Sequence, residues 1–187
     1  MNMCSDAEIA ALVEMIQHEG HDDLAEVDAL AARYPDDPRL HFMRGSILAG
    51  RSRAIEAHAA LTRAVALAPD FHIARYQLGF FELTSGEVDH ALATWGPLLR
   101  LPEAHYLRQF VEGLTHLVRD EFAEAIVRME AGLALNQENP PLNADIRLLI
   151  GECEKLARGE TAALPPDSDQ SLTSLMLGQF GPGGTRH

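Results

Sequence analysis

The side chains able to do chemistry in this 187-residue chain are sparse and mostly isolated. His18 and His21 stand three apart beside Asp22 and Asp23, donors of the kind that hold a divalent metal. They straddle Gly20, a helix breaker, and a solvated surface explains them as well, so no metal site is expected. His41, His58, His72, His90, His105 and His116 are scattered, without carboxylate or thiol companions at ligand spacing. The paired acids Asp36 and Asp37 sit between Pro35 and Pro38, where turn chemistry accounts for them. Cys4 and Cys153 lie far apart in a chain without a secretory leader and read as two reduced thiols. No Gly-rich phosphate loop, H-E-x-x-H, C-x-x-C or G-x-S-x-G is present. The expectation is therefore no catalytic residue, no cofactor and no enzyme activity.

Composition narrows the class. The apolar fraction of 47% suits a globular core, and no apolar run approaches the roughly 20 residues that cross a bilayer. Met1–Glu8 carries acids and no basic stretch, so the expected location is the cytoplasm. Alanine and arginine abound beside a single lysine, Lys155, a composition that suits a GC-rich bacterial gene. The net charge of −13 repels phosphate, and no basic face is interleaved with aromatics, which argues against nucleic acid. The charge is also unevenly placed. Residues 1–38 hold ten acids against Arg33, whereas residues 39–64 hold Arg39, Arg44, Arg51, Arg53 and Arg63 against Glu56. That asymmetry could orient a charged partner; the plain alternative is a set of solvated helix faces.

The elements that would position any site are set by a repeat. Gly45, Gly79 and Gly113 are 34 residues apart, as are Ala57, Ala91 and Ala125, and Leu61, Trp95 and Met129. One period earlier stand Ala11 and Val27; Pro35 and Pro69 share the interval, with Pro102 one residue out of step. Helix signals agree. Ser5-Asp6-Ala7-Glu8 has capping-box spacing and opens a helix to about Gln17 or His18. Gly20 breaks it, and a second helix runs until Pro35 and Pro38. Three hairpin units follow at about 38–69, 72–102 and 106–137, with Gly50 and Gly86 marking turns inside them. Pro97 falls within the second helix of the middle unit, which should kink or finish early near Gly96. After Asn139-Pro140-Pro141, an amphipathic helix over roughly 142–158 should cover the end of the stack.

The segments "FMRGSILAGRSRAIEAHAALTRAVALAP" and "YQLGFFELTSGEVDHALATW" resemble tetratricopeptide (TPR) repeats. In that family each unit is two antiparallel helices, A and B. A small residue sits mid-helix A, an alanine early in helix B, a bulky residue one turn on and a proline at the end. The resemblance implies an all-α fold, a right-handed TPR superhelix of stacked hairpins. Residues 1–37 would form a degenerate N-terminal hairpin, 38–141 three TPR units, 142–158 a capping helix and 159–187 a flexible tail. Glycines on helix A would let it approach the alanines of helix B, with Leu61, Trp95 and Met129 filling the space between hairpins. The family's aromatic positions on helix A are held here by His41, Arg75 and Gln109, and by Leu48, Glu82 and His116.

TPR proteins bind partners on a concave face lined by the A helices. The resemblance puts Phe42, Tyr76 and Phe110 in one row of that face and Ser46, Phe80 and Leu114 in a second. Ile73, Leu83, Leu107 and Leu117 flank them. The expected partner-binding groove is thus Phe42, Tyr76, Phe80, Leu83, Leu107, Phe110 and Leu114. It is apolar, suits an amphipathic helix or extended apolar segment, and lacks the Lys–Asn–Arg clamp of TPR proteins that capture C-terminal carboxylates. In the third A helix, Leu107, Phe110, Val111, Leu114, Leu117 and Val118 form one stripe at helical spacing. The alternative for that stripe is buried core.

Past Arg158, "GETAALPPDSDQ" reads as a linker. Within residues 171–180, Leu172, Leu175, Met176 and Phe180 then recur on one face of a short helix, ended by Gly181-Pro182-Gly183-Gly184. A helix this short is marginal alone, so it is expected to dock, on its own chain, a second copy or another protein; chance apolar residues in a frayed terminus are the alternative. The function expected is a non-enzymatic adaptor or scaffold for a peptide or helix of a protein partner. Two alternatives are a dedicated chaperone of a secreted protein, by likeness to small acidic TPR secretion chaperones, and an accessory subunit of a larger bacterial complex. An apolar convex or terminal face could also pair two copies into a homo-oligomer.

Overall fold

Ser5 and Glu8 start the first helix by satisfying each other. The Ser5 N–H donates to Glu8 Oε2 at 3.0 Å, and the Glu8 N–H donates to Ser5 Oγ at 3.2 Å, the reciprocal bonds of a capping box. From this cap, α1 spans Asp6–Gln17 in the computed structural model, which describes residues 3–17 and 22–159. The other helices are α2 (Asp23–Arg33), α3 (Pro38–Gly50), α4 (Ala54–Leu67), α5 (His72–Thr84), α6 (Val88–Trp95), α7 (Tyr106–Leu117), α8 (Phe122–Leu135) and α9 (Leu142–Ala157). No strand occurs among the described residues.

The repeat governs the helix starts. α3, α5 and α7 begin at Pro38, His72 and Tyr106, and α4, α6 and α8 at Ala54, Val88 and Phe122, so both series advance by 34 residues. The joint between each pair is one hydrogen-bonded motif made three times. The N–H groups of Ser52, Gly86 and Asp120 donate to the carbonyls of Ala49, Leu83 and Leu117 at 3.0–3.1 Å. Those of Arg53, Glu87 and Glu121 reach back to Leu48, Glu82 and His116 at 2.9–3.1 Å. This is the Schellman closure, which needs a left-handed residue at its centre. Ser52 (φ 58°), Gly86 (φ 86°) and Asp120 (φ 58°) supply it. Gly50 is thus the last residue of α3 rather than the turn itself, and glycine occupies the left-handed position only in the middle hairpin.

Prolines act at both ends of helices. Pro38 opens α3 at its first position, where the missing N–H costs nothing, and the Asp37 carboxylate caps the helix from before it. Pro97 does the reverse. α6 has 8 residues where α4 and α8 have 14, and the chain continues as a 3-10 turn, Leu98–Arg100.

The chain divides into two compact units, Met1–Phe81 and Glu82–His187. In the first, Cys4, Leu12, Val27 and Leu40 form one buried cluster, with Ile9, Ile16 and Leu30 against it. Leu24, Leu48, Ala57, Leu61, Leu78 and Phe81 belong to a second. Helices α3 and α4 meet at Gly45, where a Cβ would lie 2.6 Å from Leu61 Cγ and 3.1 Å from the Leu61 backbone nitrogen. Only a glycine allows that approach. The N-terminal hairpin departs from the period, since Ala11 is exposed and Leu12 packs in its place. In the second unit α7 meets α8 in the same way, with a Cβ on Gly113 falling 2.8 Å from Met129 Cγ and 3.1 Å from the Ala125 carbonyl. Asn136 fixes the step to α9. Its side chain donates to the Asn139 carbonyl and to Asn143 Oδ1, both at 2.8 Å, and accepts from the Asn139 N–H at 2.9 Å. α9 packs on α8 and buries Ile146, Leu149 and Cys153.

Candidate functional site

The charge asymmetry resolves inside the first unit. Asp28 pairs with Arg44 at 2.6 Å, Asp22 with Arg51 at 3.1 Å and Asp36 with Arg63 at 3.0 Å. Arg39 bridges Asp6 at 2.7 Å and Asp37 at 2.8 Å. Four of the five arginines in residues 39–64 therefore face acids of residues 1–38, which leaves less net field to steer a partner than the sequence suggested. Most of these pairs are exposed and each contributes little. Asp37 differs, being completely buried. Its carboxylate accepts from the Cys4 N–H at 3.0 Å, the Arg39 N–H at 3.0 Å and the Arg39 guanidinium at 2.8 and 3.0 Å. Burial pushes its pKa up, but the Arg39 bonds outweigh that and hold it below the ordinary aspartate value. This network ties the chain ahead of α1 to the start of α3, and has no free valence for a substrate.

The titratable groups most capable of covalent chemistry are set against it. Burial, then the Glu8 charge, raises the Cys4 pKa, and burial pushes the Cys153 thiol up to about 11. Both thiols are unpaired and buried, so neither supplies a thiolate at neutral pH. His105 serves as a cap: its Nδ1 accepts the Leu107 N–H at 3.2 Å at the start of α7. Among the described residues, no three His, Cys, Asp or Glu side chains converge to hold a metal ion. His18 and His21 lie outside the described residues.

What distinguishes the molecule is the apolar face of its A helices. On α3, Phe42 is half-buried and meets Phe71 edge-on, with ring centroids 5.3 Å apart. On α5, Tyr76 is buried and stacks on Phe80 at 6.2 Å with an 11° interplanar angle, while Phe80 itself stays half-open. Leu83 is buried. On α7, Leu107, Phe110 and Leu114 are at most 1% exposed, together with Val111 and Leu117. Of the seven residues expected to line a groove, Phe42 and Phe80 reach solvent; the other five are interior.

The reason is clearest for Phe110. A Cβ on Gly132 of α8 would overlap the Phe110 ring at Cδ1 and Cε1, so the ring occupies the socket that the glycine leaves. Position 64, two periods before Gly132, is Ala64. There Phe42, the counterpart of Phe110, remains at the surface. The comb Ala64, Leu98, Gly132 was available in the sequence, but Tyr76, in the repeat of Leu98, is buried without a glycine, so Gly132 accounts for Phe110 and not for the whole row. Phe71, which precedes α5, was not among the expected site residues; nothing in the 34-residue pattern marks it. Leu172, Leu175, Met176 and Phe180 lie outside the described residues.

Paired helices starting every 34 residues, a glycine at the α3–α4 and α7–α8 crossings and no strand among the described residues define an all-α repeat fold of the TPR type. Among solved structures the chain is similar to MamA, residues 41 to the end, from Desulfovibrio magneticus RS-1, a TPR-containing protein. The likeness has a TM-score of 0.55 at 15% identity and covers 83% of this chain and 96% of that one. No family model matches the chain, and no curated protein is similar to it. At such an identity the structural likeness shows the fold. No described helix is long and apolar enough to cross a membrane.

Proposed function

We propose that the chain is a protein-interaction scaffold without catalytic activity of its own. It holds an apolar peptide, or the apolar side of an amphipathic helix, against the A-helix aromatics of its first unit. The observation that carries this reading is the contrast between equivalent residues. Phe42 and Phe80 remain partly open to solvent, whereas Phe110 and Leu114, their counterparts on α7, are closed. Large aromatics held half-exposed on rigid helices present area at small entropic cost, the usual character of binding anchors. Arg39, Arg44, Arg51 and Arg63 of the same unit are paired with its own acids, which favours recognition by shape and apolar contact over recognition by charge.

The test is affinity capture from cells of the source organism with wild-type protein and a Phe42→Glu, Phe80→Glu variant, both shown by circular dichroism to be folded. Capture of the same protein by the wild type, lost in the variant, supports the reading. Equal capture by both removes these residues from the interface. Phe110 is unsuitable for this purpose, because a charge in the Gly132 socket would act on folding before binding. If the captured protein is insoluble without its partner, the protein is a dedicated chaperone; if it stays folded alone, the protein is an adaptor.

A further inference from the structure

The first and last helices each carry a line of side chains left open among the described residues. On α1, Ala7, Ala10 and Glu14 follow one another at i, i+3 and i+7, on the side away from the buried Leu12. All three are exposed. On α9, Leu148, Gly151 and Lys155 repeat that spacing, opposite the buried Ile146, Leu149 and Cys153. Leu148 is 60% exposed, and a Cβ on Gly151 would meet nothing within 4 Å. The two lines differ in charge. Asp6, Glu8 and Glu14 are the only charged residues of α1. Arg39 engages Asp6 and Arg33 engages Glu8, whereas Glu14 has no ion pair among the described residues. The base of the α9 line, Lys155, is half-exposed, with its ammonium on Glu152 at 2.6 Å.

We propose that copies of this chain join head to tail, with α1 of one copy lying along α9 of another. Set side by side in the same sense, the two lines meet position by position. Ala7 faces Leu148, Ala10 faces Gly151 and Glu14 faces Lys155. A small side chain receives the leucine, and the alanine–glycine step lets the backbones approach. The free carboxylate meets an ammonium that has a single partner in its own chain. Charge fixes both the partner and the direction. Two α1 helices would bring acid against acid, and α9 laid the opposite way would carry Glu14 toward Asp145. The contact uses a different surface on each copy, so each can hold two neighbours. One helix face on another is well below the area of a standard interface, so the association is weak and concentration-dependent. It involves neither Phe42 nor Phe80, and either reading can fail alone.

Sedimentation equilibrium on the full-length protein, from about 10 μM to about 0.5 mM, tests it. The wild type is expected to associate across that range. Ala10→Arg blocks the α1 face and Leu148→Asp the α9 face; both positions are exposed, and circular dichroism checks that each variant is folded. Each variant alone is expected to stay monomeric. An equimolar mixture of the two should form a one-to-one pair, because the α9 face of one and the α1 face of the other remain intact. Glu14→Lys and Lys155→Glu should each weaken wild-type association about two- to fivefold, and the double reversal should restore it. A wild type that is monomeric throughout overturns the proposal. So does self-association of either blocked variant, a mixture that does not pair, or a double reversal no tighter than the single ones.

Discussion

Replacing Gly132 by alanine should destabilise the protein, against the usual trend for a glycine inside a helix. The residue sits within α8, and an alanine there gains about 1 kcal/mol of helix propensity. Its methyl group, however, would occupy the space of the Phe110 ring and come 3.3 Å from Gln109 Cβ. The ring must shift within a packed site, at about 1–3 kcal/mol, or leave it and forfeit about 1.5–3 kcal/mol of burial. The net effect is a loss of up to about 2 kcal/mol. Gly151→Ala is the matched control, since Gly151 lies in α9 with nothing within 4 Å of its Cβ position. It should gain about 1 kcal/mol, which sets the two variants about 1–3 kcal/mol apart. For a chain of this length that is a difference of roughly 2–12 °C in thermal midpoint. Circular dichroism measures it, and the fluorescence of Trp95, the single tryptophan, follows the second unit. If Gly132→Ala raises the midpoint as Gly151→Ala does, the socket does not exist and the account of why Phe110 is closed falls with it.

The N-terminal hairpin should be acid-sensitive. The Ser5 bonds, ahead of those from Tyr34 and Arg33, hold the Glu8 pKa at about 2 against an ordinary 4.5, and Asp37 is also held low. Their stabilisation is fully present above the ordinary carboxylate range and is lost as pH falls toward 2. Hydrogen exchange of residues 5–17 at pH 5 and near pH 2.5 measures this, and equal protection at the two would refute it. Asp37→Ala should cost about 2–3 kcal/mol by denaturant unfolding, because it removes a helix cap and leaves Arg39 without its buried partner. Ser52→Gly should gain about 0.5 kcal/mol by relieving a left-handed serine, and Asp120→Gly close to nothing, because aspartate tolerates that conformation; equal gains would refute the distinction. Cys4 and Cys153 should both resist an aromatic disulfide reagent until the protein unfolds, and rapid labelling of either in the native state would contradict their burial.

The fold was legible because close packing leaves marks on the sequence. Gly45 and Gly113 are where two backbones come within reach, and a glycine at that interval can be read without coordinates. Ser5 and Glu8 likewise announced α1 through the spacing of the bonds they make. Pro97 announced the early end of α6. Pro38 was read as a stop, although it is equally a start; the difference lies in the Asp37 cap, a side-chain contact that spacing does not contain. The left-handed residue at Ser52 was masked by the neighbouring Gly50, since serine carries no signature of positive φ. The apolar face was legible as a stripe but not as open or closed. For Phe110 that distinction depends on one missing methyl at Gly132, which becomes meaningful only once the ring is known to stand opposite. The pairing of acids in residues 1–38 with arginines in residues 39–64 was visible as an asymmetry, and became mutual neutralisation only when the helices were placed side by side.

The identical turns at Ser52, Gly86 and Asp120 give this chain a natural unit of length. Excising residues 53–86 would place Glu87 directly after Ser52, and its N–H would find the Leu48 carbonyl at the position where Arg53 now bonds. The cap would close as before, and an A helix would pass into a B helix in phase. An excision of any other size within the repeats would leave a helix starting at the wrong angle and a small residue facing away from its neighbour. Growth and shrinkage are therefore quantised in steps of one hairpin, each step adding or removing one A-helix face while the joint that carries it stays the same.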